Sequence, residues 1–95
     1  MIDMSITVKF FANFREAVGV ENTEVKEAKD ISSMLSALVA RFGEKLKEQL
    51  YDGKRLRESV NILVNGRGLD MEKGLDAKLK DGDVVAIFPP VSGGG

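Results

Sequence analysis

The stretch that decides the fold runs Asp81-Gly82-Asp83-Val84-Val85-Ala86-Ile87-Phe88-Pro89-Pro90-Val91-Ser92-Gly93-Gly94-Gly95. Asp81-Gly82 is a turn signal. Val84 to Phe88 is apolar throughout, which predicts a strand covered on both faces and therefore central in its sheet. Phe88 precedes a proline and so favours extended backbone. Pro89 and Pro90 lack an amide N–H and hold φ near the polyproline value, so they end the strand and project the chain outward. The three closing glycines are the costliest residues to order, in a place where no turn remains to be made. The expected organisation is one domain over residues 1–88, with residues 89–95 as a flexible tail leaving from a central strand.

Working back toward the N-terminus, Val60 to Val64 reads as another strand. It is followed by Asn65-Gly66, the strongest short hairpin signal, because a type I′ turn needs positive φ at both central residues. Arg67 to Asp70 is the expected return strand, and Met71 to Leu79 a loop with one helical turn. Asp30 to Phe42 is the clearest helix: Ile31, Met34, Leu35, Leu38 and Phe42 share one face, with Asp30, Ser32 and Ser33 offering cap oxygens and Gly43 a left-handed stop. Glu44 to Tyr51 continues as a shorter amphipathic piece, and Lys54 to Arg57 is a basic surface segment. At the start, SITVKFF (Ser5–Phe11) alternates, placing Ile6, Val8 and Phe10 on one face. Phe11 falls on the other face, either covered by a loop or open to a partner. Ala12 to Val18 predicts a helical turn closed by Gly19, and Glu21 to Ala28 a polar edge strand.

Strand, strand, helix, strand, short strand, strand is an α+β order. It fits a four- or five-stranded mixed sheet with one main helix on one face and the first and last strands parallel in the centre, the ubiquitin-like β-grasp arrangement. The main helix then buries its stripe against Ile6, Val8, Ile62, Val64 and part of Val84 to Phe88.

Composition narrows the chemistry. The 95 residues are 43% apolar and 31% charged, with net charge −1, ordinary for a globular domain and without the positive field that nucleic-acid binding uses. There is no Cys and no His, which removes disulfides, thiolate nucleophiles, the commonest metal ligand and the usual neutral-pH proton shuttle. No constellation of nucleophile and base is found, and no metal site is expected. Gly66 and Gly68 lack the spacing and the Lys-Ser/Thr of a phosphate loop. The N-terminus carries no leader signal and no run approaches membrane-spanning length, so a cytoplasmic protein that binds neither nucleic acid nor membrane is expected.

What remains is the tail. Its seven residues, Pro89 to Gly95, reach roughly 23 Å at about 3.3 Å per residue, and a chain without Cβ atoms passes through channels closed to other residues. A carboxylate is a poor electrophile until adenylation gives it a leaving group, after which a sulfur donor yields a thiocarboxylate and an amine yields an amide.

FFANFREAVG (Phe10–Gly19), LVNG (Leu63–Gly66) and DGDVVAIFPPVSGG (Asp81–Gly94) resemble the MoaD/ThiS family of sulfur carriers, particularly the small subunit of molybdopterin synthase, and the related small archaeal ubiquitin-like modifiers. The resemblance covers nearly the whole chain, and the FPPV-small-Gly-Gly ending is its specific part. It implies a non-catalytic carrier that binds no cofactor itself: an E1-like adenylating enzyme uses ATP to activate the terminal glycine, and the large subunit of molybdopterin synthase receives the thiocarboxylate for transfer to a pterin precursor. Pro89, Pro90, Val91, Ser92, Gly93 and Gly94 would thread the partner's channel. Phe11, Leu69 and Phe88 would contact the partner. The family pattern ends at the glycine that is Gly94 here, yet the chain continues to Gly95; the reactive terminus is expected at Gly95, or at Gly94 if the last residue is trimmed. The same tail serves a modifier joined to target-protein lysines, or a carrier for thiamine or tRNA thiolation; a binding module with an incidental tail is the third reading.

Overall fold

The computed structural model describes residues 5–57, 59–68 and 74–89. Its elements are β1 (Ser5–Phe10), α1 (Asn13–Val18), β2 (Asn22–Lys26), α2 (Ile31–Phe42), α3 (Glu44–Leu50), β3 (Tyr51–Asp52), β4 (Arg55–Leu56), β5 (Asn61–Val64), β6 (Arg67–Gly68), a 3₁₀ turn (Gly74–Asp76) and β7 (Val84–Phe88). Five strands form one mixed sheet in the order β2-β1-β7-β5-β6, and β3 and β4 form a separate two-stranded ribbon. β1 and β7 run parallel, pairing Val8 with Val85 and Phe10 with Ile87. β7 runs antiparallel to β5, pairing Ile62 with Ile87 and Val64 with Val85. This is the ubiquitin-like β-grasp fold, with the strand before the tail at the centre of the sheet.

One apolar layer holds it together. Ile6, Val8, Phe10, Val85, Ile87 and Ile62 line the inner sheet face. Ile31, Met34, Leu35 and Leu38 of α2, with Phe14, Leu46 and Leu50, close over them, all at or below 5% exposure. Burying each such aliphatic side chain contributes about 1.5–3 kcal/mol, which makes this layer the main source of stability. The Phe10 and Phe42 rings meet edge to face at 5.8 Å. Val64 is only half-buried at the end of its strand.

Local chemistry sets the boundaries. Asp30 caps α2: its carboxylate accepts the Ser33 N–H at 2.8 Å while the Ser33 hydroxyl reaches back to the Asp30 N–H at 3.1 Å, a reciprocal capping box. That Ser33 backbone bond is the main cause holding the Asp30 carboxyl below its ordinary pKa, helped by the Ser33 hydroxyl and by Lys78 and Lys29. Gly43 ends α2, but at φ 84 and ψ −159 rather than in the left-handed helical region, because it also starts α3; that corner of backbone space belongs to glycine. Asn65 and Gly66, at φ 52 and 82, make the expected turn between β5 and β6. The Asn65 side chain does more: its oxygen accepts the Val84 N–H and its amide donates to Asp83, both at 2.9 Å, tying the hairpin to the start of β7. Arg41 of α2 reaches the edge strand β2, donating to Thr23 Oγ1 at 2.8 Å and to the Glu24 carbonyl.

Three expectations change. Lys54, Arg55 and Arg57 are exposed, as a basic surface segment should be, but Arg55 and Leu56 also pair back on Tyr51 and Asp52 across Gly53 at φ 67; two-residue strands are too short to show periodicity. The chain after Phe10 leaves the strand for a tight turn, so β1 is one residue shorter than SITVKFF. Val84 to Phe88 is central, yet Val84, Ala86 and Phe88 remain half-exposed while Val85 and Ile87 are buried, because α2 covers only one face of the sheet. Among the described residues no helix is long and apolar enough to cross a membrane.

Candidate functional site

Strand register builds the root of the tail. The parallel ladder of β1 and β7 runs Lys9 beside Ala86 and Phe10 beside Ile87, and the Phe11 N–H extends it by donating to the Ile87 carbonyl at 3.2 Å. Side chains alternate along both strands, so Phe10 and Ile87 enter the core while Phe11 and Phe88 stand together on the face without a helix. Their rings meet edge to face, with centroids 6.4 Å apart and planes at 90°. Phe88 is half-buried between Phe11 and its β5 partner Asn61. Phe11 is 44% exposed, which answers the question left by its alternation: it lies outside the core.

The same register extends the apolar surface beyond the two aromatics. Lys9, Ala86 and Leu63 form the next row across the sheet, and Thr7 and Val84 the one after. Leu63 and Ala86, both half-exposed, were missed as candidates for a contact surface. The signal was present in NILV: once Ile62 and Val64 are assigned inward, Leu63 must point outward. A groove of about 290 Å³ borders Phe11 between Lys9, Arg15, Glu21 and Asn22, with Arg15 and Glu21 paired at 3.3 Å on its rim.

On the other side of the root, Pro89 borders a cleft of about 520 Å³ with Asn13, Phe14, Gln49, Arg57 and Ser59. Asn13 Nδ2 donates to Gln49 Oε1, and Arg57 Nε donates to the Glu48 carbonyl at 2.9 Å. The cleft is polar and holds no pair of groups arranged as nucleophile and base. Outside this cleft, desolvation raises the Tyr51 phenol above its ordinary pKa.

Of the expected site residues, the structure brings Phe11 and Phe88 together and places Pro89 immediately beyond the central strand. Leu69 and the tail residues Pro90, Val91, Ser92, Gly93, Gly94 and Gly95 lie outside the described residues. Among the described residues, the site presents an aromatic pair on the sheet face opposite α2, next to Pro89 at the end of the central strand.

Comparison with known proteins agrees with this architecture. The sequence model of the ThiS family matches residues 8–94. The chain is 36% identical over 93 residues to small archaeal modifier protein 3 of Haloferax volcanii, covering 96% of this chain and 100% of that protein. It is 38% identical over 89 residues to the molybdopterin synthase sulfur carrier subunit of Escherichia coli, covering 94% and 99%. The solution structure of small archaeal modifier protein 1 from Methanosarcina acetivorans superposes with a TM-score of 0.83 at 32% identity, covering 98% and 99%. With a full-length match in sequence and the same β-grasp fold, this chain belongs to the ThiS family.

Proposed function

We propose that the chain is a sulfur carrier whose terminal glycine, Gly95 or Gly94 after trimming, becomes a thiocarboxylate and donates sulfur in molybdopterin biosynthesis. The observation that carries the reading is the place of Pro89 directly after the central strand, beside the contact of exposed Phe11 with half-buried Phe88, in a chain resembling a molybdopterin synthase sulfur carrier subunit over almost its full length. The sheet serves as a rigid mount. Phe11, Phe88, Leu63 and, by family resemblance, Leu69 dock the partner, and Pro89 to Gly94 carry the reactive end into its channel.

The chemistry belongs to the partners. An E1-like adenylating enzyme directs the glycine carboxylate to the α-phosphorus of ATP, forming the acyl adenylate and releasing pyrophosphate. Hydrosulfide supplied by a sulfur donor then attacks the acyl carbon, forms the C–S bond and expels AMP, leaving the thiocarboxylate for the large subunit of molybdopterin synthase. This chain supplies docking surface, reach and an acyl group, roles that need neither Cys nor His.

ATP–pyrophosphate exchange by the adenylating enzyme tests the first step. Exchange should require the intact chain and vanish when Gly94 and Gly95 are deleted; equal exchange with the truncated chain would remove the tail from the mechanism. A second reading, conjugation to target lysines through the same adenylate, is favoured by the likeness to small archaeal modifier protein 3 and predicts branched peptides on lysines of cellular proteins.

A further inference from the structure

The Asn65-Gly66 turn meets structural demands that conflict with its chemical durability. Both residues sit at positive φ, 52 and 82, where glycine is free of strain and asparagine is among the few other residues tolerated. Asn65 is also needed for its amide. Its Oδ1 accepts the Val84 N–H and its Nδ2 donates to Asp83 Oδ1, both at 2.9 Å, while its own N–H donates to the Val84 carbonyl at 2.7 Å. Glycine at this position would take away the acceptor of the Val84 N–H, and aspartate would set a second carboxylate against Asp83. Yet asparagine is a thermolabile residue, most of all before glycine, where no side chain hinders the next amide nitrogen from reaching the asparagine Cγ. Asn65 and Gly66 are both exposed, so water reaches the pair.

In deamidation the Gly66 nitrogen gives its proton to solvent and bonds to Cγ of Asn65, and the side-chain nitrogen leaves as ammonia. Water then opens the cyclic imide at either carbonyl, yielding aspartate or isoaspartate. The ring closes only when Cγ swings onto the Gly66 nitrogen. Here the side chain is anchored at both ends, its oxygen to Val84 and its nitrogen to Asp83, and must release them first. We propose that Asn65-Gly66 is a site of spontaneous deamidation guarded by its tie to β7, and that the reaction unties the β5–β6 hairpin from the central strand. Aspartate at 65 opposes the Asp83 carboxylate where the amide had donated to it, and isoaspartate adds a main-chain carbon inside the two-residue turn.

The first test incubates the natural chain, Asp83→Ala and a free peptide of residues 61–68 in the same buffer, and follows deamidation by mass spectrometry with mapping of the product to Asn65. The folded chain should react about tenfold or more slowly than the peptide, the protection that a pair of ordinary hydrogen bonds gives. Asp83→Ala, lacking the Nδ2 acceptor, should react about two- to tenfold faster than the natural chain. Asp83 also accepts the Lys80 N–H at 2.7 Å, so a second test keeps that bond. Asn65→Asp imitates the aspartate product and should lower Tm by about 4–8 °C. Adding Asp83→Asn should recover most of the loss, because the new amide donates to the carboxylate at 65 while its oxygen still accepts from Lys80. A natural chain that deamidates as fast as the peptide, or an Asp83→Ala chain that reacts no faster than the natural one, overturns the guarding. An undiminished Tm in Asn65→Asp, or a double variant no more stable than the single one, overturns the untying.

Discussion

The Phe11 ring stands edge-on to Phe88, centroids 6.4 Å apart, with Phe88 closing β7 and Phe11 one residue beyond the end of its parallel neighbour β1. The pair exists because those strands are neighbours in register. It is therefore tied to the same strand that leads into Pro89.

The two rings should couple. Phe11→Ala should change stability by less than about 0.5 kcal/mol, as for an ordinary surface site. Phe88→Ala should cost about 1–2 kcal/mol, below the roughly 3–5 kcal/mol of a fully buried phenylalanine. In affinity for the adenylating enzyme each should weaken binding, and a double-mutant cycle should return a coupling of about 0.5–1.5 kcal/mol. Isothermal titration calorimetry checks it; additive losses would mean that the rings act separately.

The mount itself depends on β7. Ile87 is fully buried between Phe10 and Ile62, and Ile87→Ala should destabilise the fold by about 2–5 kcal/mol through lost transfer energy and the cavity left behind. Urea unfolding gives the number. A loss under about 1 kcal/mol would show that the site collapses around the smaller side chain.

Asp30 makes stability depend on pH. Its folded-state pKa is depressed, chiefly by the Ser33 backbone bond and then by the Ser33 hydroxyl, Lys78 and Lys29, so its contribution is fully present above the unfolded-state value and is lost as pH falls through the folded value. Asp30→Asn keeps a capping oxygen but no titrating group. The variant should have a lower Tm than the natural chain at pH 7, and the difference should shrink on acidification below about pH 4. A difference constant across that range would contradict the assignment.

The fold was readable from patterns that local physics enforces. The stripe Ile31, Met34, Leu35, Leu38 with its Asp30 cap, the Asn65-Gly66 turn and the alternation of Ile6, Val8 and Phe10 each fix an element without reference to the rest of the chain. The β3–β4 ribbon was not readable, since Tyr51, Asp52, Arg55 and Leu56 form strands too short for any period to register. Coverage of β7 was over-read: Val84, Ala86 and Phe88 are apolar, but whether a second layer covers them depends on the whole architecture. At the root, motif and alternation singled out Phe11 and the motif Phe88, and the structure brings their rings together. Leu63 needed the strand register.

Truncation separates mount from tail. The described strands and helices end at Phe88, so deleting Gly94 and Gly95 should leave Tm and the amide spectrum of residues 5–57 unchanged while abolishing activity. A drop in Tm would show that the closing glycines contribute to the fold.

The most direct measurement is the intact mass of the chain purified from its native cells, with fragmentation to locate any change. A sulfur carrier should show a species heavier by the replacement of one oxygen by sulfur, localised to the terminal glycine. A chain found only with an ordinary carboxylate, or only in branched linkage to lysines of other proteins, would contradict the proposal that it carries sulfur.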